Sequence, residues 1–297
     1  NYHALGLDYY KAEFSANESG LSVTLSLKEN SAVWAGNSQK NIWSNTDFGT
    51  ATEVPGENDT VVFNNQAENQ NVQVEGSQQA AVLLFDSTLA YTVAGNVNSD
   101  NLTAGSLRQT GSGTTTLGNG VNIAGLAEIK AGTLVLEEGS QVHNASVAAD
   151  AALHLKSAHA LTDTVEGDGV VKVAWNAGAT GSVKLGEKGI GAMVVESGTL
   201  EVTEAVNVQR QLAVTESGTL RSSTGNILKQ EDMPLELGGK LVIDHSGNTE
   251  LKLATTITGE GDKLGAIEKT GTGRLTITSS VAADSLTVNQ GSVYITE

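Results

Sequence analysis

One pentapeptide, ESGTL, occurs twice in the chain, at residues 196–200 and 216–220, so its two copies start twenty residues apart. Two further segments, LAEIKAGTLVL at 126–136 and SLTVNQGSVYI at 285–295, have the same arrangement. In each, alternating apolar residues are interrupted by a glycine, after which the alternation resumes. Alternation with a period of two places the apolar side chains on one face of a strand. A strand–turn–strand unit that recurs every twenty residues predicts a solenoid.

A second pattern precedes the first and lengthens the unit. The sequence T-G-[ST]-G occurs at 110–113 and 270–273, and an alternating strand follows it each time. We therefore expect an all-β parallel β-helix of roughly 20–25 residues per coil and roughly ten coils, with strands stacked about 4.8 Å apart. Because a turn often needs a positive φ or the absence of a side chain, four glycines are predicted to be structural turn residues: Gly132, Gly198, Gly218 and Gly291.

Two other all-β folds share some of these features. An antiparallel β-sandwich also has short strands and glycine-rich turns, but it does not predict sequence copies twenty residues apart. A propeller has longer periods and more aromatic residues per blade, whereas aromatic residues make up only 4% of this chain. The repeat spacing favours the solenoid over both.

The chain divides into two unequal parts. Residues 1–30 contain two strand patterns joined by the polar segment SANESG, which predicts a hairpin that caps the solenoid or ends a preceding domain. Residues 31–297 are expected to form the solenoid, with its aromatic-rich opening coil at 32–65. Its repeats lie at 107–136, 192–220 and 267–295, whereas the stretch 150–176 is less regular and predicts a longer coil.

The opening coil and the repeats resemble a known family. The K-T-G-x-G-x-L-x-I unit with its following G-x-V-x-I at 269–295 resembles the repeat of bacterial surface proteins with autotransporter-associated β-strand repeats, and 108–136 is a looser match with Thr115 at an apolar position. The opening residues that resemble this family are Trp34, Gly36, Trp43, Pro55, Gly56 and the run from Asp59 to Phe63. The resemblance implies a right-handed parallel β-helix, exported and displayed at the outer membrane surface of a Gram-negative bacterium. The chain would then be a passenger segment excised from a longer protein.

Charge and composition exclude several classes of function. The formal net charge is −17, which disfavours binding to nucleic acid or to an anionic membrane surface. The chain has no cysteine, which excludes disulfides, thiolate catalysis and cysteine-based zinc sites. No apolar run approaches the length of a membrane span.

The residues do not form a recognisable catalytic motif. No G-x-S-x-G motif occurs, and His154 alternates with leucines, which predicts an outward-facing position on a strand. Polysaccharide-degrading β-helix enzymes need converging carboxylates, and the acidic pairs here lie mostly in turns, where carboxylates usually cap local backbone N–H groups. These pairs are Glu57/Asp59, Glu137/Glu138, Glu166/Asp168, Glu231/Asp232 and Glu260/Asp262. We expect no catalytic residues, no cofactor and no metal ligands, although calcium binding to the acidic turns stays open as an alternative.

The predicted function is therefore a non-catalytic β-helix that acts as an adhesin, a self-association surface or a structural stalk. Its expected partners are host or bacterial surface glycans or proteins, or a second copy of the chain. A glycan-binding module is the first alternative, with Trp34, Trp43 and Tyr91 as the candidate ligand-stacking residues. The competing interpretation is that Trp34 and Trp43 plug the end of the solenoid. A polysaccharide-degrading enzyme is the other alternative.

Overall fold

The computed structural model describes residues 10–17, 20–27, 30–37, 41–43, 47–48, 53–96, 99–230 and 232–296. In these residues the chain is all-β, without an α-helix, and its stacked parallel strands form a β-solenoid of about 12 turns. At a strand spacing of about 4.8 Å, the stack is roughly 55–60 Å long. The predicted fold class is confirmed, with somewhat more coils than the roughly ten expected.

The strands are short and follow one another closely. In chain order they are β1 Tyr10–Asn17, β2 Gly20–Leu27, β3 Ser31–Val33, β4 Thr60–Asn64, β5 Asn71–Val74, β6 Ser77–Asp86, β7 Tyr91–Gly95, β8 Asn101–Gln109, β9 Thr114–Leu117, β10 Val121–Ile129, β11 Gly132–Leu136, β12 Gln141–Val147, β13 Ala151–Leu155, β14 Thr164–Ala174, β15 Thr180–Gly181, β16 Lys184–Val202, β17 Val208–Val214, β18 Gly218–Ser222, β19 Leu235–Leu237, β20 Lys240–Asp244, β21 Glu250–Leu253, β22 Ile257–Thr258, β23 Ala266–Thr270, β24 Arg274–Ile277, β25 Ser285–Val288 and β26 Ser292–Ile295.

The N-terminal hairpin is present. Strands β1 and β2 pair antiparallel, with Tyr10 opposite Leu27 and Asn17 opposite Gly20. All pairings between the other named strands are parallel in the described residues, which rules out the antiparallel sandwich for this part of the chain.

The repeat length matches the circumference of one coil. The two ESGTL copies lie in adjacent coils, and Gly198 pairs with Gly218 and Leu200 with Leu220. Other coils are slightly shorter, since Thr133 pairs with Thr114, 19 residues earlier. The coil of about twenty residues that the sequence predicted is thus confirmed in these repeats.

The core consists of inward-facing side chains stacked in columns. Each coil has three strand segments, and every second residue of a segment points inward. A long column runs along one face through nine buried residues that pair in succession: Val72, Val93, Leu117, Leu136, Leu155, Val173, Val195, Val214 and Leu237. Because each residue packs against its equivalent in the neighbouring coils, the coils bury a single continuous core.

The two kinds of repeat turn stack directly on each other. The N–H of Thr133, next to the turn glycine Gly132, donates to the carbonyl of Gly113 in the T-G-S-G turn of the previous coil, at 3.1 Å. Gly132, Gly198 and Gly291 have positive φ, as predicted for turn residues. Gly218 lacks a positive φ and is required for a different reason: a Cβ there would overlap the carbonyl oxygen of Val195.

Candidate functional site

Two breaks in the strand ladders lie close together in the middle of the solenoid. One ladder of parallel pairs, on one face of the coils, runs as far as a bridge between Val142 and Leu161. The same ladder resumes where Thr180 pairs with Thr199. No pairing in the described residues joins Leu161 to Thr180. The neighbouring coils separate here because residues 157–163 and 175–183 do not run as regular strands.

A second break lies on the adjoining face. The ladder there includes the pair Val165–Leu185, and a bridge joins Val206 to Leu228 further on. No pairing in the described part of the chain joins Leu185 to Val206. The segment 182–186 therefore lies between the two breaks.

Three cavities occupy these breaks, and we call them together the central groove. The middle cavity measures ≈ 510 Å³ and lies at the first break. It shares Ser182 with a cavity of ≈ 450 Å³ at the second break, and it shares Ala158 and His159 with one of ≈ 240 Å³ on its other side. The two larger volumes fall in the range of about 300–1,000 Å³ that is usual for ligand pockets.

The middle of the groove contains no carboxylate and no ammonium group. Its lining residues are Gln141, Ala158, His159, Leu161, Thr162, Gly181 and Ser182. Three lysines and three glutamates line the outer cavities, so their formal charges cancel: Lys156, Lys184 and Lys229 with Glu138, Glu201 and Glu204. The groove is thus electrically neutral on a chain whose net charge is −17.

Several polar side chains in the groove are free to bind a ligand. In the described part of the chain, the side chains of Gln141, His159 and Ser182 make no hydrogen bond to other residues, and all three residues are exposed. Thr162 is already engaged, because its hydroxyl lies 3.2 Å from Nδ1 of His143. The free groups comprise an amide, an imidazole and a hydroxyl, which together can both donate and accept hydrogen bonds.

Trp175 lines the smallest of the three cavities with its side chain almost fully buried. Its indole N–H has no acceptor among the described residues. The backbone around it is well held, since the Ser197 hydroxyl donates to the Trp175 carbonyl at 2.8 Å. An unpaired buried donor is unusual in folded proteins, and the indole N–H of Trp43 is a second example among the described residues.

The three aromatic residues predicted as stacking platforms are core residues. Trp34, Trp43 and Tyr91 are at most 2% exposed. The Trp34 indole N–H donates to the Asn69 carbonyl at 2.8 Å, and the Tyr91 hydroxyl donates to the Asn64 carbonyl at 2.6 Å. In this structure none of the three presents a ring face to a ligand.

These aromatic rings instead fill the first coils. Trp34 and Trp43 both pack edge-on against Phe48, with ring centroids 5.3 and 5.0 Å apart. Phe63 stacks on Phe85 in the next coil at 4.4 Å. Their position matches the interpretation in which the tryptophans plug this end of the solenoid.

A charged cluster surrounds His154 on the outer surface. The strand β13 buries Leu153 and Leu155 and directs His154 outward, as predicted. Nε2 of His154 lies 3.3 Å from one carboxylate oxygen of Glu196, but the two atoms do not have hydrogen-bond geometry. The Lys172 ammonium group donates a hydrogen bond to the other oxygen of Glu196 at 3.0 Å. Burial is the main factor that lowers the pKa of His154, and the Glu196 charge opposes it.

Two of the acidic turn residues have side-chain partners in the structure. The Asp59 carboxylate accepts a hydrogen bond from the Gly56 N–H at 2.8 Å, and Glu137 pairs with Lys156 at 2.8 Å. Among the described residues, no three His, Asp or Glu side chains are grouped so that they could hold a metal ion. Glu231 lies outside the described residues.

The sequence alone did not reveal the groove. The irregular stretch predicted at 150–176 overlaps it only in part, because most of that stretch forms the strands β13 and β14 and the breaks extend to residue 207. The available signal was the loss of alternation in SAHALTDT and NAGATGSV, and such a loss also fits an ordinary loop.

Comparison with known proteins returned no relatives: no family model, curated protein or solved structure matches the chain. The described residues include no helix that is both long enough and apolar enough to cross a membrane.

Proposed function

We propose that this chain is a non-catalytic rod of a bacterial surface protein, which holds other parts of that protein away from the cell and offers its long side as an adhesive surface. The observation that carries this proposal is the uninterrupted core column of nine residues, which makes the stacked coils one continuous unit. A rod stabilised by repetition needs neither disulfides nor metal ions.

Further support comes from the surface. Many acidic side chains form local ion pairs or accept backbone hydrogen bonds, as Asp59 and Glu137 do, which suits solvated turns better than a catalytic centre. The excess negative charge keeps an extended β protein soluble. The resemblance of residues 269–295 to autotransporter-associated repeats favours display on the outer membrane of a Gram-negative bacterium.

Two measurements test this proposal. Intact cells of the source bacterium should bind an antibody against the chain, and external protease should remove that signal. Beads coated with the chain should aggregate with one another or adhere to surface glycans or proteins. If the antibody reaches the protein only after lysis, surface display is wrong; if the beads neither aggregate nor adhere, the adhesive role is wrong and only the spacer remains.

A further inference from the structure

We infer that the central groove binds an uncharged oligosaccharide through Gln141, His159 and Ser182. This inference rests on the proposed adhesive function and specifies its site and its ligand class. It also moves glycan recognition away from Trp34 and Trp43, which are buried in the opening coil.

The charge of the groove selects a neutral ligand. A polyanion would be repelled by the chain as a whole, whose net charge is −17. A polycation would be attracted to the acidic surface in general and would gain nothing from a groove whose middle carries no charge. A neutral polymer avoids both effects.

The groups in the groove suit sugar hydroxyls. Gln141 and Ser182 offer free groups that donate and accept hydrogen bonds, as a hydroxyl-rich ligand requires. Leu161 and Ala158 supply apolar surface between them, against which the C–H face of a pyranose ring can pack.

The shape of the groove suits an extended chain. The three cavities follow one another through shared residues, with Ser182 at one junction and His159 at the other. A linear oligosaccharide can therefore occupy consecutive cavities, with one or more sugar units in each. Binding along several weak subsites fits the many low-affinity contacts expected of an adhesive rod.

The test uses the full chain and a matched pair of double variants. Q141A/S182A removes two free polar groups from the groove, whereas Q79A/S246A removes the same two side-chain types from exposed positions elsewhere. All four residues are exposed, so both variants should fold like the wild type, which circular dichroism and thermal melting would verify. The chains are applied to an array of linear neutral oligosaccharides, together with sialylated and sulfated glycans and neutral peptides.

We expect the wild type and Q79A/S246A to bind neutral glycans equally, and Q141A/S182A to bind them about tenfold more weakly, because each lost hydrogen bond weakens binding several-fold. Equal binding by both variants would overturn the inference and leave the adhesive role intact. Binding only to acidic glycans, or only to peptides, would also overturn it. Absence of binding to every array component, together with absence of bead aggregation, would refute the adhesive role as well and leave only the spacer.

Discussion

Lys269, in the KTGTG turn, is fully buried, and its ammonium group lies among backbone carbonyl oxygens. It donates to the carbonyls of Gly271 at 2.7 Å and His245 at 3.1 Å, and also to that of Thr270. Burial is the main cause that lowers the pKa of Lys269. Gln109 occupies the equivalent place in the RQTGSG turn and donates to the Gly113 carbonyl at 2.8 Å. This repeat position therefore supplies an inward donor that satisfies turn carbonyls.

The substitutions K269Q and K269M separate this role from simple packing. Glutamine retains a donor for the carbonyls, whereas methionine leaves them buried and unpaired, at a cost of about 1–3 kcal/mol. We therefore expect K269M to unfold at a clearly lower urea concentration than K269Q. Equal urea midpoints for the two variants would show that the carbonyls do not need a donor.

Protonation of His154 is expected to make the stability of the folded chain depend on pH. Its pKa is lowered mainly by burial, with Lys156 and Lys172 acting in the same direction and Glu196 and Glu137 opposing them. A lowered pKa means that the unfolded chain binds a proton more readily than the folded one, so stability is retained above the unfolded value of about 6.5 and falls as the pH drops below it.

The substitution H154Q should remove this contribution. Between pH 7.5 and pH 5, we expect the free energy of unfolding to fall less in H154Q than in the wild type, as measured by urea unfolding at each pH. H159Q is the matched control, because His159 is exposed and lies outside the Glu196 cluster. If both variants follow the wild-type curve, His154 does not contribute to the pH dependence.

At the scale of the element, the turns explain why glycine recurs. Some glycines are needed for their backbone angle and others for close contact between coils. Gly178 has a φ of +86° and open space around its Cα, whereas Gly218 lacks a positive φ but lies against the Val195 carbonyl. The same residue type thus meets two different constraints.

The substitutions G218A and G178A distinguish these constraints. G178A places alanine at a positive φ and should cost about 1 kcal/mol. G218A should cost more, because its methyl group would push apart two coils that are joined by the Gly198–Gly218 pairing. Thermal melting of both variants measures the difference, and a lower melting temperature for G178A than for G218A would contradict this explanation.

At the scale of the whole molecule, the last described coil differs from the interior coils. Leu286 pairs with the buried Ile267 and so belongs to an inward column, yet it is 38% exposed, and Val288 beside it is 45% exposed. The strands β25 and β26 each pair on one side only in the described residues. In the isolated chain this end therefore presents both apolar side chains and unpaired backbone groups, a combination that promotes association.

The double variant L286K/V288K should reduce concentration-dependent association of the isolated chain, because it places two like charges on this end. L89K/L126K is the control, since it introduces the same charges at exposed apolar positions away from the last coil. Sedimentation velocity over a range of concentrations measures the effect. Equal association of the two variants would show that the end is not the contact surface.

Much of the architecture could be predicted from local patterns. The twenty-residue spacing of ESGTL corresponds to the Gly198–Gly218 pairing, and the strands β1 and β2 form the hairpin expected in residues 1–30. The site could not be predicted in the same way. Trp34 and Trp43 were candidates for ligand contact by residue type alone, and their burial depends on packing against Phe48, which lies in the same core.

The coil follows from local patterns: the period-two alternation assigns an inward and an outward side to each strand, and the turn glycines set the circumference. How neighbouring coils fit together depends instead on the folded chain as a whole. Whether Leu161 meets Thr180, or Lys269 reaches the His245 carbonyl, depends on the relative lengths of two coils and on where their turns lie. These are differences between segments about twenty residues apart, and no single segment encodes them. The central groove exists because strand pairing between neighbouring coils is missing at two places.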